Sequence, residues 1–281
     1  MLKMLVFQTD FTYKEGAVAA MYGVVKSVDQ NIEIITATHE IPQYDTWSAS
    51  YRLYQYIDFW PKGTIFVSVV DSGVGTSRRA CVAKTKNGYY IVTPDNGSLT
   101  HVGRYFGIEE VRQIDESINR LHREDNGAVS IFHGRDLFGY CAARLAAGII
   151  SYEEVGPLYP TDEIRRHEIH EAKVYEDHIE GMFEINDPNF GNLWTNILLS
   201  DFLKAGFGMG DLVHTRIYHK DVLVFDRFIP YFDSFGKAED HSVMIYNNEI
   251  NKMGLAEVVG NLCEDYHLSY GQDYRVVFSH E

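Results

Sequence analysis

A carboxylate, a guanidinium and an imidazole together can hold and move protons, and this chain sets all three beside glycine-rich bends. Residues 64–70 (TIFVSVV) read as a strand that hands over to Asp71 and the turn Asp71-Ser72-Gly73-Val74-Gly75-Thr76-Ser77-Arg78-Arg79. A charged pair at a strand end is costly to keep out of water, so Asp71 and Arg78 point to a reaction site, whereas Arg79 reads equally well as a solvated neighbour. A second apolar run, 129–132, leads to His133-Gly134-Arg135-Asp136. Its strand-end imidazole reads about equally as a satisfied core histidine and as a catalytic or ligand-polarising group. Asp136 reads as the N-cap of the helix that follows, with Arg135 as its salt partner or an interface residue.

Three further runs end in polar residues: 5–8 at Asp10, 32–38 at His39 and 89–93 at Asp95-Asn96. In an open α/β sheet, ligands sit outside the carboxyl ends of the strands, so these five runs are expected to face one crevice. Asp10 has two readings of equal weight, a helix cap near Glu15 or a grip on ribose hydroxyls. Asp10, His39, Asp45, Asp95 and His133 are all possible metal ligands, yet none shows the close spacing of HExxH or a calcium loop, and no metal is expected. Gly73-Val74-Gly75 is too short for a dinucleotide fingerprint, and no phosphate-binding GxxxxGK[ST] loop occurs.

The elements that would position these groups fall into two stretches. Up to about residue 150, β-rich runs alternate with helical patterns at 17–27, 47–59 and 137–147, the last stopped by Gly148. This predicts an α/β fold with a mostly parallel sheet and flanking helices over 1–160. Charge and proline break the pattern, giving an expected linker at 161–172. Short alternating runs over 173–281 then predict a smaller C-terminal antiparallel, β-barrel-like domain. There the turn Asp187-Pro188-Asn189-Phe190-Gly191-Asn192-Leu193-Trp194 is dense in polar and aromatic residues. Asp187, Asn192 and the rings of Phe190 and Trp194 suit a purine and a cation, or simply a tight hairpin.

The 281 residues carry a formal charge of -15, which disfavours nucleic acid or an anionic membrane as partner and suits a small, partly cationic ligand. Three widely spaced cysteines, Cys81, Cys141 and Cys263, read as free buried thiols. No apolar run approaches the roughly 18 residues needed to cross a bilayer, so a cytoplasmic protein is expected.

Taken in order, Thr9-Asp10-Phe11, Thr38-His39-Glu40-Ile41-Pro42, Pro61-Lys62-Gly63-Thr64, Val69-Val70-Asp71-Ser72-Gly73-Val74-Gly75-Thr76 with Arg78-Arg79, Pro94-Asp95-Asn96-Gly97, Phe132-His133-Gly134-Arg135-Asp136 and Phe190-Gly191-Asn192-Leu193-Trp194-Thr195-Asn196 make the chain resemble the S-adenosyl-L-methionine hydroxide adenosyltransferase family, relatives of fluorinase and chlorinase. The resemblance spans nearly the whole chain. It implies hydrolysis of S-adenosyl-L-methionine to adenosine and L-methionine, with no cofactor and no metal, in a homotrimer whose sites lie between subunits. It assigns Asp71, Arg78 and His133 to the triad that handles water or hydroxide, Asp10 to the ribose diol, and Asp187, Phe190, Asn192 and Trp194 to the wall around the nucleoside and methionine. The halogenases carry tyrosines at the aspartate and histidine positions, which subtypes this chain as hydroxide-using.

The chain also departs from the family pattern. Thr12 stands where the family has glycine, Ser72 where proline is common, and residues 239–252 replace a Ser-Ser-Gly stretch used for the adenine and the methionine head group. A non-catalytic adenosine or S-adenosyl-L-methionine binding protein is therefore the alternative expectation, and a metal-dependent phosphoesterase ranks third.

Overall fold

The computed structural model describes residues 2–122 and 131–280, which form two compact units meeting in sequence between His167 and Glu168. In the first unit, strands β1 (Met4–Thr9), β2 (Glu33–Thr38), β3 (Ile65–Val69), β4 (Ala80–Thr85), β5 (Tyr90–Pro94) and β6 (Ile108–Gln113) make one sheet in the order β2-β1-β3-β5-β4-β6. The first four in that order run parallel, while β4 is antiparallel to both of its neighbours. Sequence reading found the parallel strands and missed β4 and β6. Of the expected strand 129–132, residues 131 and 132 lie outside any strand, and residues 129 and 130 lie outside the described residues.

Strand alternation fills both faces of this sheet. Leu5 and Phe7 pack with Met21 and Val25 of helix α1 (Ala17–Val28) and with Leu137, Phe138 and Cys141. From the other face Val6 and Phe66 meet Leu53 and Ile57 of α2 (Thr46–Ile57) and Val102 of α3 (Thr100–Tyr105). Period-2 strands between period-3.6 helices can bury both sheet faces only in such a layered arrangement. Asp45 starts α2, its carboxylate accepting the Ser48 N–H at 2.9 Å. A four-residue helix, α4 (Glu116–Asn119), follows β6. The expected helix at 137–147 begins as a π-turn, Gly134–Gly139, and continues as α5 (Tyr140–Ala146), with Gly148 in the left-handed region.

Residues 161–167, expected as linker, form part of the first unit. Ile164 is buried in its core, and the Arg165 N–H donates to Asp95 at 2.8 Å.

The second unit is an antiparallel sheet of β7 (Lys173–Val174), β8 (His178–Asn186), β9 (Leu193–Leu198), β10 (Leu212–His219), β11 (Val222–Pro230), β12 (Val243–Asn247), β13 (Lys252–Glu257) and β14 (Tyr274–Ser279). The strand path β11-β10-β14-β8-β9-β13-β12 curls until Tyr231, just past β11, bridges to Ile245 of β12, so the sheet is a nearly closed barrel. Its inside is apolar, with Phe183, Ile197, Phe202, Val213, Phe225 and Phe278 among the buried residues. The fold class read from the sequence, α/β followed by a β-barrel-like domain, is the one observed. All three cysteines are free, Cys81 and Cys141 buried and Cys263 partly so. Among the described residues no helix is long and apolar enough to cross a membrane.

Candidate active site

The parallel strands end side by side, and each end carries chemistry. Asp71 lies two residues beyond β3, where its Oδ1 accepts the Gly73 N–H at 3.0 Å and closes the glycine turn. Arg78 returns over that turn and grips Asp71 with both Nε, at 3.0 Å to each oxygen, and Nη2. Gly73 makes the return possible, because a Cβ there would stand 2.8 Å from Arg78 Cγ. The two side chains are only 3% and 5% exposed, so each charge depends on the other.

Nη2 of Arg78 also lies 2.9 Å from Nδ1 of His133, a residue brought from 55 positions away in the chain. A guanidinium can only donate, so Nδ1 accepts, and the neutral ring carries its proton on Nε2. Burial, and then the nearby Arg78 charge, hold the His133 pKa below its ordinary value of 6.5. Asp71, Arg78 and His133 thus form one hydrogen-bonded string with a permanent positive charge at its centre.

His133 enters the string from a constrained approach. Gly134 follows it so closely beneath the rings of Phe11 and Phe132 that a Cβ would stand 3.0 Å from each, and the two rings meet edge to face at 5.7 Å. Asp136 lies inside the π-turn, buried and paired with Arg135 Nε at 2.6 Å. The expected N-cap role is therefore corrected: no side chain caps this turn, because its first residues continue a helical backbone from His133 itself. The salt partnership with Arg135 is observed.

Asp10, just beyond β1, does not cap α1, whose start is Gly16. Instead its Oδ2 accepts the Tyr44 N–H at 2.9 Å. Burial raises its pKa, and the Asp71 charge adds to that rise, which marks the two carboxylates as neighbours in one electrostatic site. Arg79 turns away from the string to pair with Glu163 at 2.6 Å and to cover the Tyr159 ring. Asp95 accepts from Tyr159 and from the Arg165 N–H, and Asp45 caps α2, so both serve the scaffold. Among the described residues no cluster of three or more His, Cys, Asp or Glu is arranged to hold a metal ion.

In the second unit, the loop between β8 and β9 is a tight hairpin turn. Asp187 Oδ1 accepts the Asn189 N–H at 3.0 Å, and the Asp187 N–H donates to the Asn192 carbonyl at 2.8 Å. Phe190 is 65% exposed on this loop, whereas Asn192 and Trp194 are buried. Trp194 Nε1 donates to the Tyr246 hydroxyl at 2.6 Å, and Asn192 also bonds that hydroxyl. Sequence reading missed Tyr246. Its segment departs from the family pattern, so only the pairing across β9, β13 and β12 brings it beneath Trp194.

Comparison with known proteins agrees with this architecture. A Methanocaldococcus jannaschii protein described as an (R)-S-adenosyl-L-methionine hydrolase is 26% identical over 99% of this chain and 97% of its own length. A fluorinase from Actinopolyspora mzabensis is 25% identical over 98% of this chain and 97% of its own. The crystal structure of an uncharacterized conserved protein from Thermotoga maritima, 31% identical, superimposes with a TM-score of 0.86 over 98% of this chain and 99% of that one. Family models for the SAM hydroxide adenosyltransferase N-terminal and C-terminal domains match residues 5–156 and 183–275. With both halves matched in order, the chain belongs to the SAM hydroxide adenosyltransferase family.

Proposed function

We propose that this chain hydrolyses S-adenosyl-L-methionine to adenosine and L-methionine, by in-line attack of water or hydroxide on C5′ of the ribose. The observation that carries the mechanism is the Asp71–Arg78–His133 string. The oxygen lone pair forms the new C5′–O bond while the C5′–S pair leaves with sulfur as a neutral thioether, and the attacking water gives up one proton to solvent. Carbon inverts. No metal and no covalent intermediate are needed for that balance.

Bulk water is a poor nucleophile, with a pKa of about 15.7. A guanidinium held in place by Asp71 favours the hydroxide form, and the Nε2–H of His133 is a donor that can fix its oxygen. Taking up the proton at His133 Nδ1 requires the Arg78 contact to open first. Attack of an anion on a sulfonium cancels charge, so excluding bulk water speeds it. Alignment of oxygen, carbon and sulfur contributes roughly 7–11 kcal/mol. In this reading Asp10 grips the ribose diol with its carboxylate. Asp187, Phe190, Asn192 and Trp194 form the wall around nucleoside and methionine. The enzyme works without cofactor, in the cytoplasm, as a homotrimer whose sites draw on neighbouring subunits.

Both sulfonium epimers should be offered, in water enriched in heavy oxygen. The label is expected on the 5′ hydroxyl of the adenosine formed. Unlabelled adenosine overturns the reading, and tight binding without turnover assigns the chain to the non-catalytic nucleoside binders, a reading favoured by the altered 239–252 segment beneath Trp194.

A further inference from the structure

The motif Thr38-His39-Glu40-Ile41-Pro42 has no part in the chemistry above, yet its histidine is buried just beyond β2, 1% exposed. Nδ1 of His39 lies 2.8 Å from Thr9 Oγ1, and Nε2 lies 2.7 Å from the hydroxyl of Tyr22 on α1. The Tyr22 hydroxyl is 2.5 Å from Thr36 Oγ1, which also receives the Tyr13 hydroxyl at 2.9 Å. The Tyr13 ring stands edge-on to the imidazole with centroids 5.0 Å apart.

These contacts converge on one short turn. Thr9 Oγ1 accepts the Phe11 N–H at 3.1 Å, the His39 carbonyl accepts the Thr12 N–H at 2.8 Å, and Thr9 O accepts the Ile41 N–H at 3.3 Å. Asp10 sits between Thr9 and the two held amides of Phe11 and Thr12. The turn needs holding, because Thr12, the residue standing in a glycine position of the family pattern, has φ +56. A β-branched residue in the left-handed region is strained unless its surroundings over-determine it.

The ring is suited to structure rather than proton transfer. Burial drives its pKa down to about 4, so it is neutral, with one N–H and one lone pair for two hydroxyl partners. Its ring bonds Thr9 and Tyr22 rather than Asp71, Arg78 or His133.

We propose that His39 is a positioning residue for Asp10: its ring and carbonyl hold the turn at residues 9–12 in the conformation that presents the Asp10 carboxylate to the ribose diol. This rests on the reading of Asp10 as a ribose-binding group.

The test compares His39→Ala, His39→Asn and Thr9→Val with the wild-type protein. Asparagine retains a polar atom that reaches Thr9, and valine keeps the shape of threonine without its hydroxyl. His39→Ala and Thr9→Val should each raise both the KM for S-adenosyl-L-methionine and the Kd for adenosine about tenfold, with kcat within about threefold, because binding and not the reacting centre is loosened. The double variant should be no worse than about the weaker single, since both cut one path, and His39→Asn should recover most of the loss. Hydrogen exchange at the Phe11 and Thr12 amides should quicken at least about tenfold in His39→Ala while the β3 amides stay protected. Unchanged exchange at those two amides, additive effects, or a fall in kcat alone overturns the proposal. A wild-type protein that neither binds nor turns over the nucleoside removes the ribose reading instead, and the exchange measurement still decides whether His39 holds the turn.

Discussion

His39 and His133 are both pushed toward the neutral form, for different reasons. Burial alone does it for His39, bringing it to about 4, while at His133 burial is joined by the positive charge of Arg78. Each folded-state value lies below the ordinary 6.5. Between the two values the unfolded chain binds a proton that the folded chain refuses, so this stability is complete above about pH 6.5 and is lost as pH falls toward about 4. At 1.36 kcal/mol per unit, His39 accounts for about 3 kcal/mol of that loss. Denaturant unfolding followed from pH 7.5 to 4.5 should show the decline, and His39→Asn should flatten it. A stability that holds level between pH 7 and 5, or a variant as steep as the parent, would contradict the assignment.

The element that matters most to the string is the π-turn Gly134–Gly139, since it begins directly after His133. Wider turns of this kind insert a residue into a helix and often occur at functional sites. Here the turn lets Gly134 pass under the rings of Phe11 and Phe132. Gly134→Ala must push those rings aside, which overpacks the site by about 1–3 kcal/mol and should lower kcat at least about tenfold by moving His133. Gly23→Ala is the control. Gly23 lies exposed within α1, and a Cβ there meets nothing within 4 Å. It should stabilise the protein by about 0.5–1 kcal/mol with activity unchanged. Equal thermal and kinetic effects from the two substitutions would show that space beside His133 has no special importance.

At the scale of the whole molecule, excess acid keeps the surface soluble, with 40 acidic against 25 basic residues. Apolar side chains nevertheless stand exposed on adjacent strands: Leu212 and Phe228 of β10 and β11, with Val222 and Val224 on β11. Surface of this kind is what an assembly covers. For the homotrimer proposed above, light scattering should return the mass of about three 32.2 kDa chains at micromolar concentration. Full turnover by a species of single-chain mass would refute the homotrimer with shared sites.

Strand ends were the most legible feature. Apolar runs followed at once by Asp10, His39, Asp71 and Asp95 carried their own address, because parallel strands in a layered sheet end on one side. Helical periodicity likewise marked residues 17–28 and 46–57 to within a residue or two of their observed limits. The antiparallel strands escaped notice for different reasons: β4 is a short buried run with no period, and β6 buries only Ile108 and Val111, whose spacing of three imitates a helix turn. Asp136 misled for a related reason: its place before an apolar run imitates a cap, and only packing made it an interior residue of a π-turn. Sequence by itself thus determined the layered α/β unit, the β-barrel-like unit after it, and the residues that deserved attention. Tertiary structure decided the contacts themselves: that Arg79 turns away to Glu163, that Arg78 bonds His133 through Nδ1 across 55 positions, and that His39 is spent on holding a turn. The reason is physical: periodicity records which face a side chain takes, whereas its partner depends on contacts between distant segments that no local pattern encodes.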